Sequence, residues 1–283
     1  MTARQLGTYL AVLLIVCLRP AAAADLVAAT AAVHAADLPE PTAAATTPPV
    51  AAVSAAEVVY GRGPGGDLRG YLARPAGGAE RLPGLLVIHE WWGLNDNIRG
   101  TTERLAAEGY VALAVDLYQG EVASDAKTAM RLMQRLEADP DAAAANLRQA
   151  YAYLDEATAG APIGVIGWCL GGRWALQAAL LMPDQIDATV IYYGQLTTDP
   201  AQLARLEMPV LGNFAGKDPL IPPEMVDAFG RTMRSLGKRV DLKIYPGARH
   251  AFANPSGTAY DAAAAEDAWQ RSLAFLDRTL RAD

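Results

Sequence analysis

The residues best suited to chemistry in this chain lie in Gly167-Trp168-Cys169-Leu170-Gly171-Gly172. An apolar run at 163–166 precedes them and a helical pattern follows at 172–181, which is the strand, tight turn and helix of a nucleophile elbow. The glycines have a steric reason to be there, because a nucleophile on a sharp turn sits at a strained backbone angle and side chains beside it would collide. Cysteine stands where such elbows usually carry serine. A helix N-terminus at Cys169 favours thiolate over thiol, so the spacing predicts a lowered thiol pKa.

A thiol nucleophile needs a base to carry its proton and an acid to hold that base in the right tautomer. In elbow-bearing folds the chain order is nucleophile, acid, histidine. Asp218, in Gly216-Lys217-Asp218-Pro219, and His250, in Tyr245-Pro246-Gly247-Ala248-Arg249-His250, follow Cys169 in that order, each just after an apolar run. His89 is the other histidine of the domain, and it precedes the nucleophile. An acyl intermediate also needs donors for its oxyanion. The backbone N–H groups of Leu170, next after the nucleophile, and of Trp91, in the loop after 85–89, are the expected pair.

The elements that must position these groups are short apolar runs alternating with longer helical patterns, the signature of crossover units on a mostly parallel sheet. An early edge strand is expected at 68–73. Central strands are expected at 85–89, 111–115, 163–166, 188–192, 210–214 and 240–245. Helices are expected at 98–107, 126–136, 142–157, 172–181, 223–236 and 260–280, where apolar residues recur at three- and four-residue spacing. This is one doubly wound α/β domain over 57–283, in which ligands bind beyond the carboxyl ends of the strands. Glu90, Cys169, Asp218 and His250 all stand at such ends.

Of the 283 residues, 52% are hydrophobic and 19% charged, a globular composition that excludes disorder of the whole chain. The formal net charge of -7, with no run of Lys or Arg, excludes a nucleic-acid partner. Cys17 and Cys169 are too few for a disulfide scaffold or a cysteine-rich zinc site. His89 and His250 do not sit at ligand spacing, so neither a metal nor a cofactor is expected. Residues 1–24 read as an export signal, with Arg4 in a polar start, an apolar stretch at 10–18 and Ala22-Ala23-Ala24 for cleavage. That stretch is too short to span a bilayer, so a periplasmic or secreted protein is expected. Residues 25–56, rich in Ala, Thr and Pro, read as a flexible tether, and His34 within it carries no expected function.

With these residues in hand, the chain resembles the dienelactone hydrolase family of α/β-hydrolases over nearly all of 57–280. The resemblance rests on His89-Glu90-Trp91-Trp92-Gly93-Leu94-Asn95, Asp116-Leu117-Tyr118, the cysteine elbow, Gly216-Lys217-Asp218 and the segment from Tyr245 through His250 to Phe252. It implies a Cys169-Asp218-His250 triad and implies that Glu90 holds the resting thiol and helps generate the thiolate. Members that act on dienelactone place an arginine four residues after the histidine to meet the substrate carboxylate, and here Asn254 stands there. Arg249, Lys127 or Arg131 are the cations that could compensate.

Trp91, Trp92, Trp168 and Tyr118 flank the expected site and could wall an acyl pocket, whereas Trp174 and Trp269 fall in helical patterns and are expected in the core. The expected activity is cysteine-based hydrolysis of small esters or lactones by a monomer. Two alternatives remain. One is a broad carboxylesterase; the other is a binding or redox-sensing module in which Cys169 is oxidised or merely buried.

Overall fold

The computed structural model describes residues 20–42, 47–77 and 81–281. Residues 1–19 of the expected signal segment lie outside the described residues. In chain order the elements are α1 (Pro20–Val33), β1 (Val53–Gly63), β2 (Gly66–Pro75), β3 (Gly84–Ile88), α2 (Asp96–Ala107), β4 (Val111–Val115), α3 (Ala126–Ala138), α4 (Pro140–Ala157), β5 (Ile163–Trp168), α5 (Leu170–Leu181), β6 (Ala188–Tyr192), α6 (Pro200–Leu203), β7 (Val210–Ala215), α7 (Pro223–Ser235), β8 (Val240–Tyr245) and α8 (Ala262–Leu280).

The eight strands form one sheet in the order β1-β2-β4-β3-β5-β6-β7-β8. Among the described residues, only the β1–β2 and β2–β4 pairs are antiparallel. The central strands β3, β4, β5, β6 and β7 are buried along their whole length, as continuous apolar runs in a sheet covered on both faces must be. Alternation splits them between two cores: Leu86, Ile88 and Val165 face the α3, α4, α5 and α7 side, while Leu85, Val87 and Ile166 face α2 and α8.

The predicted central strands and the helices of the domain are all present, with ends moved by a few residues. Two differences stand out. The strand expected at the edge, β2, is inside the sheet, because β1 pairs along its outer side from Val53 onward. The chain expected to be a free tether instead forms α1 and packs down: Val27, Thr30, His34 and Asp37 are buried. Alanine favours helix, and the prolines of the segment that argue against one, Pro39, Pro41, Pro48 and Pro49, all lie beyond the helix end. Among the described residues, no helix is long and apolar enough to cross a membrane.

Candidate active site

The elbow forms as its sequence requires. Cys169 follows β5 directly, at φ 52° and ψ -116°, and α5 starts at the next residue. This is left-handed backbone that a non-glycine residue adopts only under constraint. The constraint is the crowding of the turn. A Cβ on Gly167 would lie 2.1 Å from the Gly171 carbonyl oxygen, and one on Gly171 would lie 2.1 Å from that of Ile88. The Cys169 N–H donates to the Tyr192 carbonyl at 3.0 Å, pinning the turn to β6.

Three expected residues meet here. His250 Nε2 lies 3.1 Å from Cys169 Sγ, and His250 Nδ1 lies 2.7 Å from Asp218 Oδ2. The other Asp218 oxygen accepts from the N–H groups of Leu220 and Ile221. A carboxylate so held fixes the imidazole with Nδ1–H toward Asp218 and a lone pair on Nε2 toward the thiol. Sulfur, imidazole and carboxylate therefore form one hydrogen-bonded line able to move a proton off sulfur.

The thiol is not the resting thiolate that the helix N-terminus suggested. Burial pushes Cys169 well above the ordinary thiol range, with an ionised Glu90 adding to the shift and the Leu170 N–H opposing it. Desolvation outweighs the dipole because the sulfur is buried, with His34 of the N-terminal arm among the groups beside it. The Trp91 N–H has no acceptor among the described residues, so it and the Leu170 N–H are both available to an oxyanion.

Glu90 is buried, and burial raises its carboxyl to about 8. Its oxygens accept from Asn254 Nδ2 at 2.6 Å and the Tyr193 hydroxyl at 3.3 Å. The thiol thus rests on His250 and not on Glu90 as the resemblance implied. Asn254, in the arginine position, is spent on Glu90 and on the Ser256 N–H. Arg249 is exposed and donates to the Thr258 carbonyl, and Arg131 pairs with Glu121, so neither supplies a cation to the site. Trp168 stacks on Tyr192, with ring centroids 5.2 Å apart, and lines a different cavity from the one beside Cys169 and His250. Trp91 and Trp92 are buried against each other at the site. Tyr118 is buried with its hydroxyl unpartnered among the described residues, near enough for a Cys169 thiolate to raise its pKa further. His89 is structural: it accepts from the Leu117 N–H and bonds the Glu90 carbonyl, holding the loop that carries Trp91.

Four residues of the site escaped the sequence reading. Tyr193, just past β6 at φ 37°, bonds Glu90 and meets the His250 ring edge-on at 5.2 Å. Its place one residue beyond a strand was the available signal. Arg173, one helical turn after Cys169, is buried beside a cavity that Cys169 and His250 also line, and is paired with Glu137; its four-residue spacing from the nucleophile could have found it. His34 and Asp37 had no such signal. His34 stacks on Trp91 at 4.8 Å between ring centroids, and its Nε2 is 3.9 Å from Cys169 Sγ. Its Nδ1 is 2.7 Å from Asp37 Oδ2, and Asp37 in turn accepts from the N–H and hydroxyl of Thr258. Burial lowers the His34 pKa against the pull of Asp37.

Comparison with known proteins places this arrangement. A protein of Saccharolobus solfataricus assigned as a carboxymethylenebutenolidase is 34% identical over 76% of this chain and 95% of its own length, and Protein usf of Aquifex pyrophilus is likewise 34% identical, over 76% and 95%. A crystal structure assigned as a dienelactone hydrolase of Klebsiella pneumoniae superposes with a TM-score of 0.72 at 28% identity, covering 80% of this chain and 99% of that one. A dienelactone hydrolase-like promiscuous phosphotriesterase from metagenomic libraries gives 0.73 at 25% identity, over 81% and 99%. The sequence model of the Dienelactone hydrolase family matches residues 68–280, a span that holds the sheet from Leu68 in β2 onward together with Cys169, Asp218 and His250, and the chain belongs to that family.

Proposed function

We propose that the protein hydrolyses small carboxylic esters or lactones through a Cys169 thioester. The observation that carries this reading is the buried line from Sγ through the His250 imidazole to Asp218. Substrate binding brings the carbonyl carbon to Sγ. As the S–C bond forms, the thiol proton passes to His250 Nε2, and the imidazolium is stabilised by Asp218. The carbonyl oxygen takes the electron pair and is held by the Leu170 and Trp91 amides. Collapse breaks the C–O bond, and His250 gives its proton to the leaving alcohol, which in a lactone stays on the same molecule. Water then loses a proton to His250 and attacks the thioester, releasing the acid and returning the thiol.

The site favours neutral acyl substrates. Asn254 is engaged with Glu90, and Arg173, the buried cation beside the cavity, is already paired. Dienelactone, which brings a carboxylate, is therefore expected to turn over more slowly than short neutral aryl esters, and a rate comparison on purified protein decides between lactonase and broad carboxylesterase. Replacing Cys169 with Ala should reduce turnover of an activated aryl ester by a factor on the order of 10⁴ or more, with thermal unfolding unchanged. Intact-mass analysis of the wild type should show the acyl group on Cys169. Normal turnover in the variant would sink the assignment.

The N-terminal sequence supports export and cleavage after Ala24; recovery from the cell envelope of protein beginning at Asp25 is the test. The edge strand β1 carries a register shift between Val59 and Gly61, and a bulge of this kind discourages edge-to-edge pairing. A monomer by light scattering is expected.

A further inference from the structure

Two histidines, not one, aim at the nucleophile, and each is held the same way. His250 has Asp218 on Nδ1 at 2.7 Å, and His34 has Asp37 on Nδ1 at 2.7 Å. A carboxylate on Nδ1 keeps the proton on that nitrogen and leaves the Nε2 lone pair free. Both lone pairs converge on Cys169 Sγ, from 3.1 and 3.9 Å, and the three donor atoms lie within 4.8 Å of one another. The Asp37 carboxylate is anchored in turn by Thr258, so the His34 orientation is built rather than incidental.

From this geometry we propose that His34, Cys169 and His250 form a three-ligand site for a soft divalent transition metal, zinc above all, whose occupancy reversibly switches the enzyme off. The proposal rests on the reading of Cys169 and His250 as nucleophile and base. Zinc takes thiolate sulfur at about 2.3 Å and imidazole nitrogen at about 2.0–2.1 Å in a tetrahedron. Those bonds put sulfur and nitrogen about 3.6 Å apart and the two nitrogens about 3.3 Å apart. The observed sulfur–nitrogen distances straddle the first value, and the nitrogens need to close by no more than about 1.5 Å. A cavity of about 20 Å³, lined by Thr30, Tyr193 and Ile221 among others, adjoins Cys169 and His250, room for one water as fourth ligand.

Binding is a proton exchange. The metal forms a bond to sulfur, and the thiol proton leaves to solvent. The charges suit it, because one thiolate and the carboxylates of Asp37 and Asp218 surround a dication. Thiolate and imidazole select zinc, cobalt or cadmium over magnesium and calcium, which want oxygen. Once bound, the metal occupies both the sulfur lone pair that attacks and the nitrogen that takes the proton, so no acyl transfer can start.

The test uses the full chain and zinc or cobalt alone as the probe. Turnover of a neutral aryl ester should fall as zinc is added and return with a chelator. Measured against its own zinc-free turnover, His34→Ala should raise the half-inhibiting zinc concentration by about tenfold or more, since even the loss of a group behind a ligand costs about 10–100-fold in affinity. Asp37→Asn should weaken zinc in the same direction. Cobalt should give a thiolate charge-transfer band saturating at one equivalent, absent in Cys169→Ser and weakened in His34→Ala. A His34→Ala protein as zinc-sensitive as the wild type overturns the proposal, as does a cobalt complex with no thiolate band. A His34-dependent cobalt band on a protein without esterase activity would uphold the metal site and overturn the catalytic reading; an active, zinc-insensitive enzyme would do the reverse.

Discussion

At the scale of single residues the site depends on backbone contact as much as on functional groups. Gly171 shows this most directly. A Cβ there would stand 2.1 Å from the Ile88 carbonyl oxygen and 2.6 Å from that of His89, so α5 could not approach β3. Neither neighbour is a flexible side chain that could move aside. Gly171→Ala should cost about 3 kcal/mol or more in a denaturant titration. It should also lower kcat by about 100-fold, because sub-ångström displacement of the nucleophile spoils alignment. An unchanged denaturation midpoint would refute this account of the elbow. Cys169, Asp218 and His250 were legible because each follows a strand, and strand ends are readable from local pattern. The state of the thiol was not legible: a dipole can be inferred from a helix start, whereas desolvation depends on everything that packs above it.

At the scale of elements, the arm led by α1 changes the site most. Val27 is 1% exposed and Thr30 2%, and Leu26 and Thr30 line the cavity beside Cys169. Farther along the arm, Thr42 bonds Ser256 and the Pro255 carbonyl. Since α1 adds no strand to the sheet, a charge on its buried face should release the helix and leave the domain folded. Val27→Asp buries an unpaired carboxylate and should shift docking toward the released state by about tenfold or more. Limited proteolysis should then cut within residues 20–42 faster than in the wild type, and kcat/KM for a bulky aryl ester should rise. Global unfolding without faster cleavage of the arm would show that α1 is integral to the core. The sequence pattern could not announce this docking, because an alanine-rich helix has no apolar stripe to mark which face is covered.

At the scale of the molecule, the buried Glu90 ties global stability to pH. Unfolded, its carboxyl titrates near 4.5; folded, it holds its proton up to about 8. Between these values the folded state binds the extra proton, so stability from this group falls as pH rises, by at most about 1.4 kcal/mol per pH unit. Tyr193 and Asn254 bond the carboxyl, and the nearby charges are those of Asp37 and an ionised Cys169. In Glu90→Gln the unfolding temperature should decline less between pH 5 and 8 than in the wild type, as scanning calorimetry can measure. Parallel curves for the two proteins would show that Glu90 does not titrate in that window. By itself the sequence determined the doubly wound sheet, the elbow and the chain order of Cys169, Asp218 and His250, because hydrophobic period and strand-end placement are local properties of the chain. Only the tertiary structure decided that His34 and Asp37, whose partners Cys169 and Thr258 lie 135 and 221 residues away, belong to the site. Such contacts arise from which surfaces the folded sheet leaves for the arm to cover, and no local pattern encodes that.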